Sequence, residues 1–185
     1  MSKSPAILLS FDLEEFDIPL EYGGDPDLDQ QLDVATAGCD ALLDLLDSLD
    51  VTCTFFTTGV FAEARPRIMQ CIAARHEVAS HGMAHSRFDN ADLAASRQLL
   101  QRLTDQPVTG FRRARLADTD TDAIADAGYA YDSSINPTYL PGRYNHLDKP
   151  RRVYAMDNGL WQLPISTMPY TRFPLFWLSL KNIPV

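Results

Sequence analysis

Two histidines, His81 and His85, stand four residues apart in the stretch SHGMAHS at 80–86. Imidazoles at that spacing share one side of a helical turn and can reach a single cation, and the stretch reads as a loop leaving the strand at 77–80. Gly82 between them suits a tight backbone where strand becomes loop. A divalent ion held by two nitrogens needs a carboxylate or a third nitrogen beside them, and an open position if it is to do chemistry. The cluster Asp12-Leu13-Glu14-Glu15 follows an apolar run and offers that carboxylate. Residue type alone leaves Glu14 and Glu15 both eligible. His76, at the end of a helical stretch, reads as structural. His146, within HLDKPRR, reads as a surface residue, with substrate contact or proton donation as the alternative.

The elements that must position these residues can be read from periodicity. Apolar or β-branched runs predict strands at 6–12, 51–57, 77–80, 108–112, 129–133 and 160–166. Between them, helical spacing or end signals predict helices at 36–49, 66–75, about 91–103 with Asn90 as cap, and 119–127 closed by Gly128. Residues 17–33, rich in Asp, Gly and Pro, read as a loop overhanging the site, and 136–158 as a long functional loop. The terminal PLFWLSLKNIPV reads as the start of an apolar helix. Strands alternating with helices imply βα units and a parallel sheet, an α/β fold. Ligand-facing groups in such folds gather at the carboxyl ends of strands. Those ends carry Asp12 and Glu14, His81 and His85, and Arg112, with Arg113 as its rival. Trp161 reads as core rather than as a sugar platform.

Composition bounds the rest. At 185 residues the chain fits one domain, 1–185, with 45% hydrophobic and 22% charged residues, ordinary for a globular protein. No apolar run approaches the roughly 18 residues of a membrane span. The start reads as a first strand rather than a signal peptide, so a cytoplasmic location is expected. Cys39, Cys53 and Cys71 are odd in number and lack CxxC spacing, which suits buried thiols in a reducing compartment. The net charge of −9 is uneven: residues 4–64 hold 14 acids and no Lys or Arg. That acidic third argues against nucleic acid and anionic membranes as partners and would welcome a cation.

With these residues in view, the chain resembles the polysaccharide deacetylase family, whose members share a NodB-like distorted (β/α) barrel. LLSFDLEEF resembles the first motif, in the subgroup where a catalytic Asp is followed two residues later by an acidic metal ligand. SHGMAH resembles the His-x-x-x-His motif. GFRRARL resembles the Arg-x-Pro motif, with Ala114 in the proline's place, and LWQLPIST the fourth-motif region. The fifth motif, a late strand carrying a His, has no match before Val185, so the barrel is expected to be incomplete and prone to self-association.

The resemblance implies Asp12 as general base, Glu14, His81 and His85 as metal ligands, and Arg112 as the cation orienting Asp12. It implies a hydrolase that removes acetyl groups from an acetylated carbohydrate. Two nitrogens and one oxygen favour Zn²⁺, and Co²⁺, Ni²⁺ or Fe²⁺ would also suit. The alternatives are a non-catalytic metal- or carbohydrate-binding domain and a deacylase of small amides.

Overall fold

The computed structural model describes residues 7–176, so the tail from 177 lies outside the described residues. The chain divides into two compact units, Met1–Val108 and Thr109–Val185. In the first, β1 (Ser10–Leu13), β2 (Thr54–Thr57) and β3 (Glu77–Ser80) pair in parallel in that order. Around them lie α1 (Leu28–Ser48), α2 (Gly59–Ala64), α3 (Pro66–Ala73) and α4 (Ala91–Thr104). The middle strand is buried on both sides, with Phe55 and Phe56 pointing opposite ways into the core. Phe61, Met69, Ile72, Val78 and Leu100 complete that core.

Several expectations need correction here. The first strand begins at Ser10; Ile7 and Leu8 are almost fully exposed rather than buried in a strand. The loop expected over 17–33 holds a 3-10 helix, Ile18–Tyr22, and the first turns of α1. The early start of α1 is enforced by a capping box. Asp27 Oδ1 accepts from the Gln30 N–H at 2.8 Å, and Gln30 Oε1 accepts from the Asp27 N–H at 3.0 Å. Asn90 makes no side-chain cap on α4. Asp89 does that work, its Oδ1 accepting from the Ala91 N–H at 2.9 Å.

The second unit carries β4 (Gly110–Phe111), α5 (Thr121–Asp126) and β5 (Tyr131–Asp132). The stretch expected to be one long loop instead holds a hairpin, β6 (Tyr139–Leu140) with β7 (Tyr144–Asn145), and then β8 (Tyr154–Ala155). β9 (Trp161–Gln162) runs parallel to β5 and antiparallel to β8, and β4 runs parallel to β5. The fold is α/β with mostly parallel strands, as the sequence leads one to expect.

Candidate functional site

Register assembles the site in the first unit. Leu13 lies opposite Thr57, and Thr57 opposite Ser80, so the three parallel strands end flush. The next residues, Glu14, Thr58 and His81, therefore leave along one edge. The ladder runs one step further, with Thr58 N donating to Leu13 O (3.1 Å) and His81 N to Thr57 O (2.9 Å). The histidine loop is then stitched to the start of α2, as Gly59 N donates to Gly82 O (2.9 Å) and Val60 N to Met83 O (2.8 Å). Gly82 sits at φ +85°, a conformation that residues with a Cβ rarely adopt.

Residues 81–86 are bends and open loop, in keeping with a loop that leaves the third strand. Backbone stitching, rather than helical periodicity, brings the imidazoles together. Their planes lie within 13° of parallel, with centroids 6.4 Å apart. Glu14 spans them: Oε2 is 3.0 Å from His81 Nε2 and Oε1 is 3.4 Å from His85 Nε2. Glu15, the rival carboxylate, is committed elsewhere. Its Oε2 accepts from Thr58 Oγ1 and its Oε1 from the His85 N–H, both at 2.8 Å. Buried and bonded through both oxygens, Glu15 ties the strand ends to the histidine loop.

Sequence reasoning overlooked Asp17. It folds back into the site, its Oδ1 2.6 Å from His85 Nδ1 and its Oδ2 accepting from the Ser86 hydroxyl. A carboxylate on the far nitrogen of a histidine selects the tautomer whose Nε2 lone pair is available to a cation.

The donor types, two imidazole nitrogens and a carboxylate, suit a divalent ion. Ligand bonds of 2.0–2.1 Å in a tetrahedron put donors about 3.3 Å apart, close to the two Glu14–imidazole separations. Glu14 Oε2 is buried and, among the described residues, has no hydrogen-bond partner, although His81 Nε2 is 3.0 Å away. Among the described residues no group of three or more His, Cys, Asp or Glu is arranged, as it stands, to hold a metal ion. Glu14 leans directly on both imidazoles, and its rotatable side chain is free to re-aim.

Asp12 lies on β1, exposed, and shares its side of the chain with Glu14 by the two-residue alternation of a strand. Arg112 belongs to the second unit, just past β4, and is buried. There it donates from Nε to Ser133 O (3.3 Å) and from Nη2 to Ser133 Oγ (3.0 Å). Arg113 uses its backbone N–H, donating to Ser134 Oγ at 2.8 Å. Next to them Asp132 is deeply buried. Burial pushes its carboxyl up from the usual range, opposed by hydrogen bonds from Ser134 and Gln162 and by the charge of Arg112.

Four further expectations resolve as follows. His76 is structural as expected: its buried Nδ1 accepts from the Cys53 N–H (3.4 Å) and its ring meets Phe55 edge-on. His146 is buried, not on the surface; Nε2 is 3.0 Å from Asp118 Oδ1 and the ring stacks on Tyr144. Trp161 is half exposed rather than core. Cys39 and Cys53 are buried but Cys71 is exposed.

No described helix is long and apolar enough to cross a membrane. No curated protein matches the sequence. Among solved structures, a Mycobacterium smegmatis protein assigned as a polysaccharide deacetylase aligns with TM-score 0.64 and 24% identity, over 86% of this chain and 58% of its own. The PuuE allantoinase aligns with TM-score 0.61 and 16% identity, over 85% of this chain and 60% of its own. At these identities the likeness is one of fold, and the chain spans under two thirds of either protein. The family model for polysaccharide deacetylases matches residues 5–131, more than half of the sequence, and the chain belongs to the polysaccharide deacetylase family.

Proposed function

We propose that the chain is the metal-binding part of a hydrolase that removes acetyl groups from an acetylated sugar polymer. The observation that carries this reading is Glu14 lying across His81 and His85 with a buried oxygen for which no hydrogen bond is found among the described residues. A divalent ion, Zn²⁺ first and Co²⁺, Ni²⁺ or Fe²⁺ as alternatives, would polarise the acetyl carbonyl and lower the pKa of a water. His81, His85 and Glu14 hold it, and Asp17 fixes the His85 tautomer that makes Nε2 available.

Asp12 takes the proton of the attacking water as the new C–O bond forms. Its place near the end of β1, two residues before Glu14 and exposed where Leu13 is buried, suits a base that must meet solvent and substrate. Collapse of the tetrahedral adduct then breaks the C–N bond of an N-acetyl group, or the C–O bond of an O-acetyl group, releasing acetate, and the leaving nitrogen or oxygen takes up a proton. Arg112 as the orienting cation for Asp12 follows from the resemblance of GFRRARL to the Arg-x-Pro motif.

Acetate release from acetylated chitooligosaccharides, xylan and peptidoglycan tests the reading. Asp12→Asn should keep the metal and lose about 10²–10⁴-fold in rate, because an amide cannot accept the proton. Loss of metal from Asp12→Asn as complete as from His81→Ala would make Asp12 a ligand and overturn its role as base. Absence of acetate from every substrate would move the function to metal or carbohydrate binding.

A further inference from the structure

Two hydroxyls are buried where apolar side chains would serve the packing as well. Ser96 lies on the core-facing side of α4 with Leu93, Leu99 and Leu100, and Ser80 ends β3; both are fully buried. A hydroxyl taken out of water must be hydrogen-bonded to be tolerated, so such a pair is informative in a way that a buried leucine is not. The two oxygens are 2.9 Å apart and join the strand to the helix.

The order of protons in the pair follows from its neighbours. Ser96 Oγ donates to Leu93 O at 3.2 Å. A hydroxyl has one proton to give, so at the shared contact Ser80 donates and Ser96 accepts. Ser80 Oγ in turn accepts from the Gly82 N–H at 3.2 Å. The bonds form a relay from Gly82 N–H through Ser80 and Ser96 to Leu93 O, which fixes the rotamer of Ser80. Gly82 is the residue at φ +85° on which the histidine loop turns, and its carbonyl accepts from Gly59 N at 2.9 Å. Both polar groups of the Gly82 backbone are therefore anchored, immediately after His81. Alternation along the strand puts Ser80 on the side that α4 covers and His81 on the other.

We propose that Ser96 is a positioning residue for the cation site. Acting through Ser80 and the Gly82 amide, it sets the loop so that His81 and His85 face Glu14. The role rests on the reading of Glu14, His81 and His85 as ligands given above. Ser96 stands on the opposite side of the sheet from His81, so its influence travels through the relay.

Zn²⁺ affinity by chelator competition, together with amide exchange of Gly82 in the metal-free ¹⁵N-labelled chain, tests it. Ser96→Ala should weaken Zn²⁺ about three- to tenfold, the scale of one neutral hydrogen bond, and speed exchange at Gly82. Ser96→Cys, of similar shape and with a weaker donor, should fall between. Ser80→Ala should weaken Zn²⁺ at least as much as Ser96→Ala. The double variant should bind no more weakly than Ser80→Ala alone, because a residue that acts only through another is not additive with it. Leu100→Val, a core change on the same helix, should lower Tm and leave both readouts as in the parent, which separates positioning from a general loss of stability. Losses that add in the double variant, an equal loss in Leu100→Val, or unchanged Gly82 exchange in Ser96→Ala would each overturn the proposal. A parent that binds no Zn²⁺ would overturn the cation site and this role with it, whereas Zn²⁺ held equally by the parent and Ser96→Ala overturns the role alone.

Discussion

Removing the Asp17 carboxylate should weaken metal binding without touching a ligand. Asp17 Oδ1 is 2.6 Å from His85 Nδ1, both side chains are buried, and Ser86 holds the second oxygen in place. A hydrogen bond to a charged group typically contributes about 1.5–3 kcal/mol. At about 1.4 kcal/mol per decade this is roughly ten- to a hundredfold in dissociation constant. The same range, about 10–100-fold, is usual when the outer partner of a metal-bound histidine is lost. Asp17→Asn keeps the shape and an acceptor oxygen but not the charge, so it should fall near tenfold. Asp17→Ala should approach a hundredfold. Zn²⁺ affinity measured in competition with a chromophoric chelator reads the effect, with circular dichroism confirming the fold. Binding by Asp17→Ala within twofold of the parent, while His85→Ala loses the metal, would refute the positioning role.

Other consequences are open to quick assays. Burial pushes the Cys53 thiol up to about 11 and that of Cys39 to about 12, whereas Cys71 is exposed. A thiol-reactive disulfide at pH 8 should therefore titrate one fast thiol in the native chain and three after denaturation; three fast thiols would contradict the burial. Burial and the nearby Arg75 hold His76 below its ordinary 6.5. The unfolded chain then takes up the proton first, so this stability is complete above about pH 6.5 and is lost as pH falls through the lower folded value. Melting between pH 7.5 and 5 should show that slope flattened in His76→Gln; an identical slope would clear His76 of responsibility. A Cβ on Gly110 would lie 2.1 Å from Tyr131 Cζ, so Gly110→Ala should cost about 1–3 kcal/mol through overpacking. An unchanged Tm in that variant would show that Tyr131 yields freely.

Much of the site was legible because the fold puts chemistry immediately after strands, and apolar runs mark strands. The third strand was placed over 77–80 from its pattern, and β3 occupies those residues; His81 then had to leave its carboxyl end. The choice of Glu14 over Glu15 was also within reach, since alternation puts Glu14 on the side of Asp12 and Glu15 opposite. Asp17 was not legible. It acts through a chain reversal ahead of a 3-10 helix, and no periodicity announces a residue that folds back on a site. The early start of α1 was written in Asp27 and Gln30, a capping pair obscured by the Gly, Asp and Pro around it. The six-residue α2 is too short to show a period. His146 misled because HLDKPRR is polar. Its burial comes from stacking on Tyr144, made possible by two-residue strands that leave no alternating pattern.

The central claim is that Glu14, His81 and His85 hold one divalent ion. Metal content after saturation with Zn²⁺ and desalting, measured by elemental analysis on the parent and on Glu14→Ala, His81→Ala, His85→Ala and Glu15→Gln, tests it most directly. One equivalent in the parent, a loss in each of the first three variants, and retention in Glu15→Gln is the result expected from Glu14 lying across the two imidazoles. Equal metal in the parent and the three ligand variants, or no metal in the parent, would contradict it.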